Sequence, residues 1–116
     1  MRIITFGILL AASPALANDA GLEFFEKKVR PVLVEHCYKC HSSSAEKLKG
    51  GLRLDSRERF LAGGESGPVI VPGKPEESRL VRTISYKDVD LQMPPKGKLS
   101  DEQIATLTEW VQTMVE

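Results

Sequence analysis

The chain has 116 residues, 41% of them hydrophobic and 28% charged, with 16 Lys plus Arg balancing 16 Asp plus Glu. That balance removes the electrostatic case for a nucleic-acid binder, and the length excludes a large multidomain enzyme. Two cysteines cannot supply a framework of several disulfides, so any staple must be one bridge, a metal or a cofactor.

Met1 and Arg2 precede an apolar run of ten residues, Ile3 to Ala12, and Ala15-Leu16-Ala17 offers a small-x-small cleavage site. Such a run is half of the ~20 residues that span a bilayer as a helix, so residues 1–17 are expected to be a cleaved secretory signal. The expected mature domain, residues 18–116, has 99 residues and a formal charge of −1. It is expected to be periplasmic or otherwise exported, with no membrane span left after cleavage.

Leu22, Phe25, Val29 and Leu33 form a helical stripe, and Pro31 inside it predicts a kink or restart near Arg30. Ser42 to Leu54 is polar and contains Gly50-Gly51, which suits a loop running close to something bulky. Asp55 and Glu58 have capping-box spacing for a short helix over Ser56 to Leu61. After a Gly- and Pro-rich connection, Pro75 is placed to start a helix reaching about Ser85, with Leu80, Val81 and Ile84 on its apolar face. A loop with Met93-Pro94-Pro95, Lys96 and Lys98 leads to the last helix. There Ser100 is the N-cap, Gln103 completes a capping box, Leu99 and Ile104 suit a hydrophobic staple, and Ile104, Leu107, Val111 and Met114 share a face beside Trp110. No strand-like alternation, internal repeat or low-complexity tract is visible. The expected class is all-α, with about four short helices and long loops.

Both cysteines and one of the two histidines lie in Cys37-Tyr38-Lys39-Cys40-His41, the pattern of c-type haem attachment. One helical turn puts two thiols where they can add to the two haem vinyl groups, and the next residue aims an imidazole at the iron. A zinc site lacks a fourth good ligand even with His36 counted, a thioredoxin-like pair lacks its βαβ setting, and a plain disulfide leaves His41 unexplained. One covalent haem c per chain, through Cys37 and Cys40, also accounts for loops too long for so small a core.

The residue opposite His41 decides the chemistry, because His/Met iron transfers electrons whereas an open sixth position binds or activates small molecules. Met114 belongs to the apolar stripe, which leaves Met93, 52 residues after His41 and stiffened by two prolines. His36 precedes Cys37 directly and is expected to stay on the attachment side as a haem-edge or surface residue. Lys96 and Lys98 are near enough in sequence to replace Met93 at high pH.

At these residues the chain resembles class I c-type cytochromes and, more closely, the planctomycete-type cytochrome c domain. The stretches that carry the resemblance are Phe24 to Pro31, the attachment motif, Lys49-Gly50-Gly51-Leu52-Arg53-Leu54-Asp55, Gly67-Pro68, Val71 to Pro75, Met93-Pro94-Pro95 and the Trp110 helix. The resemblance implies a class I-like fold around haem bound by Cys37 and Cys40, proximal His41 and distal Met93, with the first and last helices crossing. It also implies that the Pro68 carbonyl accepts a hydrogen bond from the His41 ring. Such domains are commonly modules of larger proteins, so the chain is expected to be either a diffusing carrier or the haem subunit of a larger dehydrogenase-like assembly.

Residues 27–59 hold nine basic and four acidic residues, and Lys39 lies inside the attachment motif. This basic region predicts steering of acidic redox proteins to the haem edge. The combined expectation is a monomeric, exported, mono-haem carrier of single electrons that is not itself an enzyme. The alternative is a haem sensor or peroxidase-like enzyme with an open or labile sixth position.

Overall fold

The computed structural model describes residues 20–114. The expected signal, residues 1–17, and the last two residues lie outside the described residues. Within the described residues no helix is long and apolar enough to cross a membrane.

Residues 20–24 are α-helical and lead into a π-helical turn, Phe25–Val29, which runs directly into helix α1, Arg30–His36. Pro31 has no N–H to donate and its ring crowds the preceding turn, and the wider π turn is one way of passing it without breaking the helix. The Arg30 N–H accordingly bonds to the Phe25 carbonyl, five residues back. The expected restart at Arg30 is thus present. The additional residue in the wide turn also shifts the helical register, so Val29, Val32 and Leu33 are buried while Leu22, expected on the same stripe, is 58% exposed. Ion pairs Lys27–Glu23 and Arg30–Glu26 decorate the outer face, where solvent leaves them little net effect.

Helix α2, Arg57–Ala62, starts one residue later than the proposed capping box implies. Ser56 is the N-cap and accepts the Arg59 N–H at 3.2 Å. Asp55 is engaged elsewhere, accepting the Ser43 N–H at 2.9 Å. The segment opened by Pro75 divides into a 3-10 turn, Pro75–Glu77, and helix α3, Arg79–Ile84. The break is Ser78, whose fully buried hydroxyl accepts the Val71 N–H at 2.9 Å and reaches the Lys74 carbonyl at 2.9 Å. A serine that offers its hydroxyl to local backbone in this way competes with helix continuation.

Helix α4, Asp101–Thr113, carries the complete capping box: Gln103 N–H donates to Ser100 Oγ and Ser100 N–H to Gln103 Oε1, both at 3.1 Å. Leu107, Trp110 and Val111 bury its inner face, with Leu99 and Met114 buried at either end. The α4 helix packs against the π turn, α3 and the 3-10 turn. Trp110 stands between Phe25, ring centroids 5.4 Å apart, and Phe60, edge-on at 5.0 Å. One tryptophan therefore joins the π turn, α2 and α4. The described residues are helical with no strand, and the only sheet-like pairing among them is an isolated bridge between Gly64 and Gly67.

Candidate haem site

Helix α1 ends at Cys37, whose N–H bonds to the Leu33 carbonyl at 2.8 Å. The attachment residues continue as a single turn, with Cys40 and His41 N–H groups both directed to the Cys37 carbonyl at 3.2 and 3.0 Å. Buried Ser42 closes the turn by donating its hydroxyl to the Tyr38 carbonyl at 2.6 Å. Neither cysteine is in a disulfide. Burial pushes the Cys37 thiol up to about 11, so it is held neutral, and a thioether at this position would carry no charge into an apolar setting.

The Lys49–Leu54 loop lies alongside this turn. Lys49 N–H bonds to the Cys40 carbonyl at 3.0 Å and Leu54 N–H to the His41 carbonyl at 2.8 Å. Between these two stitches, His41 Nδ1 lies 3.2 Å from the Leu52 carbonyl. A carbonyl only accepts, so Nδ1 donates, and in the neutral ring this tautomer keeps the Nε2 lone pair for a metal. The acceptor is therefore Leu52 rather than Pro68, the residue the resemblance implied. Pro68 does not line the cavity described below, although its neighbours Gly67 and Val69 do. The backbone stitches fix this outcome, because they bring the carbonyl eleven residues after His41 against its ring.

A cavity of about 390 Å³ opens beside the attachment turn, within the size range of small-molecule and cofactor pockets. His36, Cys37, Cys40 and His41 contribute to it from the first segment, and Leu52, Leu54 and Val69 from the central loops. From the distal part of the chain come Leu80, Thr83, Ile84, Leu91 and Met93-Pro94-Pro95. His41 and Met93 thus share one cavity, while Met114 is 8% exposed in the core as its position on the stripe implied. Close backbone approach shapes the rim: Glu65 N–H bonds to the Gly50 carbonyl at 2.7 Å, and a Cβ on Gly64 would collide with that carbonyl oxygen. Gly50 also has φ +62°, which favours glycine.

Met93 is held by its own N–H, which bonds to the Thr83 carbonyl at 3.3 Å, and the next residue, Pro94, accepts a hydrogen bond from the Tyr86 hydroxyl. His36 is half-buried at the cavity edge, 3.3 Å from Gln103 Nε2 and 3.6 Å from the Glu35 carboxylate. The Gln103 amide oxygen is committed to the capping box, so its NH2 faces His36 and the imidazole accepts. Lys49 and Arg79 also line the cavity, which has no Asp or Glu among its lining residues. Sequence reasoning did not single out Leu52, Thr83, Tyr86, Lys49 or Arg79 as site residues. The Gly50-Gly51 pair was the signal for the first of these, and the basic character of residues 27–59 included Lys49.

Among the described residues no group of three or more His, Cys, Asp or Glu side chains converges as a metal site, so a protein-only zinc centre lacks its ligands. A haem suits the residues that are present: two adjacent thiols, an imidazole with Nε2 free, an apolar lining, and two cations for a ligand with carboxylate arms. The sequence profile of the family described as planctomycete cytochrome C matches residues 37–97. This chain belongs to the planctomycete cytochrome c family. No curated protein and no solved structure matches it. The family implies haem c, which the two cysteines of the attachment motif are spaced to receive, and a haem-binding electron carrier rather than an enzyme. The match runs from the first attachment cysteine of this planctomycete cytochrome c through its Met-Pro-Pro loop, and thus spans both candidate ligands. Helices α1 and α4, which carry much of the core, fall outside the match.

Proposed function

We propose that this protein is an exported, class I-like mono-haem cytochrome c that carries single electrons, with His41 and Met93 as axial ligands. The observation that carries this reading is the convergence of His41, its Nε2 left free by Leu52, and the Met93 loop on one apolar cavity. Haem iron supplies a one-electron change of oxidation state, and thioether sulfur as a ligand favours the reduced form.

The chain's own residues do the rest. Cys37 and Cys40 would hold the macrocycle by thioethers, and the Leu52 carbonyl would keep the His41 ring from rotating. Leu52, Leu80 and Ile84 exclude water from the cavity, and Lys49 and Arg79 are the side chains suited to the propionates. Lys39, exposed within the attachment turn, supports docking of an acidic redox partner to a carrier that acts as a monomer.

Visible and near-infrared spectra of the matured protein, oxidised and reduced, test this reading. The expected result is a c-type reduced spectrum, a sulfur-to-iron band in the oxidised form, and no change when the reduced form meets carbon monoxide. Covalent haem that binds carbon monoxide readily would replace it with the sensor or peroxidase-like reading.

A further inference from the structure

The residue after helix α3 and its C-cap is unusual. Tyr86 has φ +58°, the left-handed conformation that a residue with a Cβ seldom adopts and that glycine normally supplies at helix ends. Its N–H still closes the helix end by reaching the Thr83 carbonyl at 3.4 Å. An aromatic residue in this conformation carries backbone strain, and such strain persists where surrounding contacts hold it.

What the conformation achieves is visible in the side chain. The half-buried Tyr86 ring directs its hydroxyl to the Pro94 carbonyl, on the residue immediately after Met93. The same Thr83 carbonyl that caps Tyr86 also accepts the Met93 N–H at 3.3 Å. Residues 87–90 between these ends are exposed. The Met93 segment is therefore pinned on both sides: by its backbone to the end of α3, and through Pro94 to the phenol. Pro94 and Pro95 stiffen the loop but donate no hydrogen bonds, so they cannot anchor it themselves.

We propose that Tyr86 is a positioning residue that latches the Met-Pro-Pro loop over the cavity and so keeps the Met93 thioether on the iron. The proposal rests on Met93 being the ligand. The latch would act on the equilibrium between bound and displaced thioether, since loss of a single hydrogen bond shifts such an equilibrium by about tenfold.

The test compares matured wild type with Tyr86→Phe, which keeps the ring and removes only the hydroxyl. Tyr86→Asn serves as a second variant, because Asn tolerates a left-handed backbone but cannot span to Pro94. Ser85→Ala is the control, since it removes the neighbouring hydroxyl bond to the Val81 carbonyl and leaves the Met93 loop untouched. Both Tyr86 variants should weaken the sulfur-to-iron band and increase apparent carbon monoxide affinity of the reduced protein by about tenfold, whereas Ser85→Ala should change neither. In the Tyr86→Phe protein the Met93 amide should also exchange with solvent faster than in wild type, while amides inside α4 keep their rates. A wild type without the band, unaffected by Met93→Ala, overturns the ligand reading and this proposal together. A band present in wild type, lost in Met93→Ala and unchanged in both Tyr86 variants overturns the latch alone.

Discussion

Trp110→Ala should be the most damaging single core substitution outside the haem ligands. Trp110 is 6% exposed and has aromatic neighbours on two different segments, Phe25 and Phe60. Truncating a buried Trp to Ala costs about 3–5 kcal/mol, and each offset or edge-on ring pair adds about 0.5–1.5 kcal/mol beyond area burial. A double-mutant cycle separates these contributions: Trp110→Ala and Phe60→Leu together should show a coupling of about 1 kcal/mol. Because Trp110 is the only tryptophan, its fluorescence is lost with it, and denaturant unfolding is best followed by far-ultraviolet circular dichroism on the haem-loaded protein. A loss below about 0.5 kcal/mol, the range of an ordinary surface substitution, would refute the role of Trp110 as the junction of the helical elements.

Asp55→Asn should lower stability at neutral pH and make no difference in strong acid. The Ser43 N–H holds the Asp55 carboxyl below its ordinary value, so its contribution is complete above the unfolded-state value and is lost as pH falls through the folded one. Denaturation midpoints of both proteins across the acid range should therefore converge on acidification. Gly64→Ala should destabilise by about 1–3 kcal/mol, because the added methyl group meets the Gly50 carbonyl oxygen rather than a yielding side chain. Thermal melts would measure it, and an unchanged midpoint would contradict the close packing of the two cavity loops. Arg79→Gln should lower the reduction potential, because a lost positive charge at the cavity favours the oxidised iron, by less than the ~59 mV that corresponds to tenfold in a one-electron equilibrium. Protein-film voltammetry checks the direction, and an increase would place Arg79 away from the haem.

The features legible in the sequence are those that local chemistry decides. The capping box at Ser100 and Gln103 and the disturbance at Pro31 each depend on residues within a single turn or two, and both are present. The division at Ser78 and the shift of the α2 cap from Asp55 to Ser56 depend on partners seven and twelve residues away, Val71 and Ser43, which no local pattern reveals. The site divides in the same way. The attachment motif is contiguous and readable, whereas the Leu52 carbonyl is a backbone atom with no residue-type signature, and resemblance alone pointed to Pro68 instead. Tyr86 was invisible for a related reason: its importance comes from a left-handed backbone and a hydroxyl directed eight residues along the chain.

The axial ligand set decides what this haem does, and proton NMR of the reduced, haem-loaded protein carrying methyl-labelled methionine reads that set out. Met93 and Met114 are the two methionines of the described residues, one at the cavity and one in the core. With Met93 on the iron, one methyl signal should move far upfield in the ring current of the haem and be absent in Met93→Leu, with Met114 near its ordinary position. Two methyl signals at ordinary positions in the wild type would contradict His41/Met93 ligation.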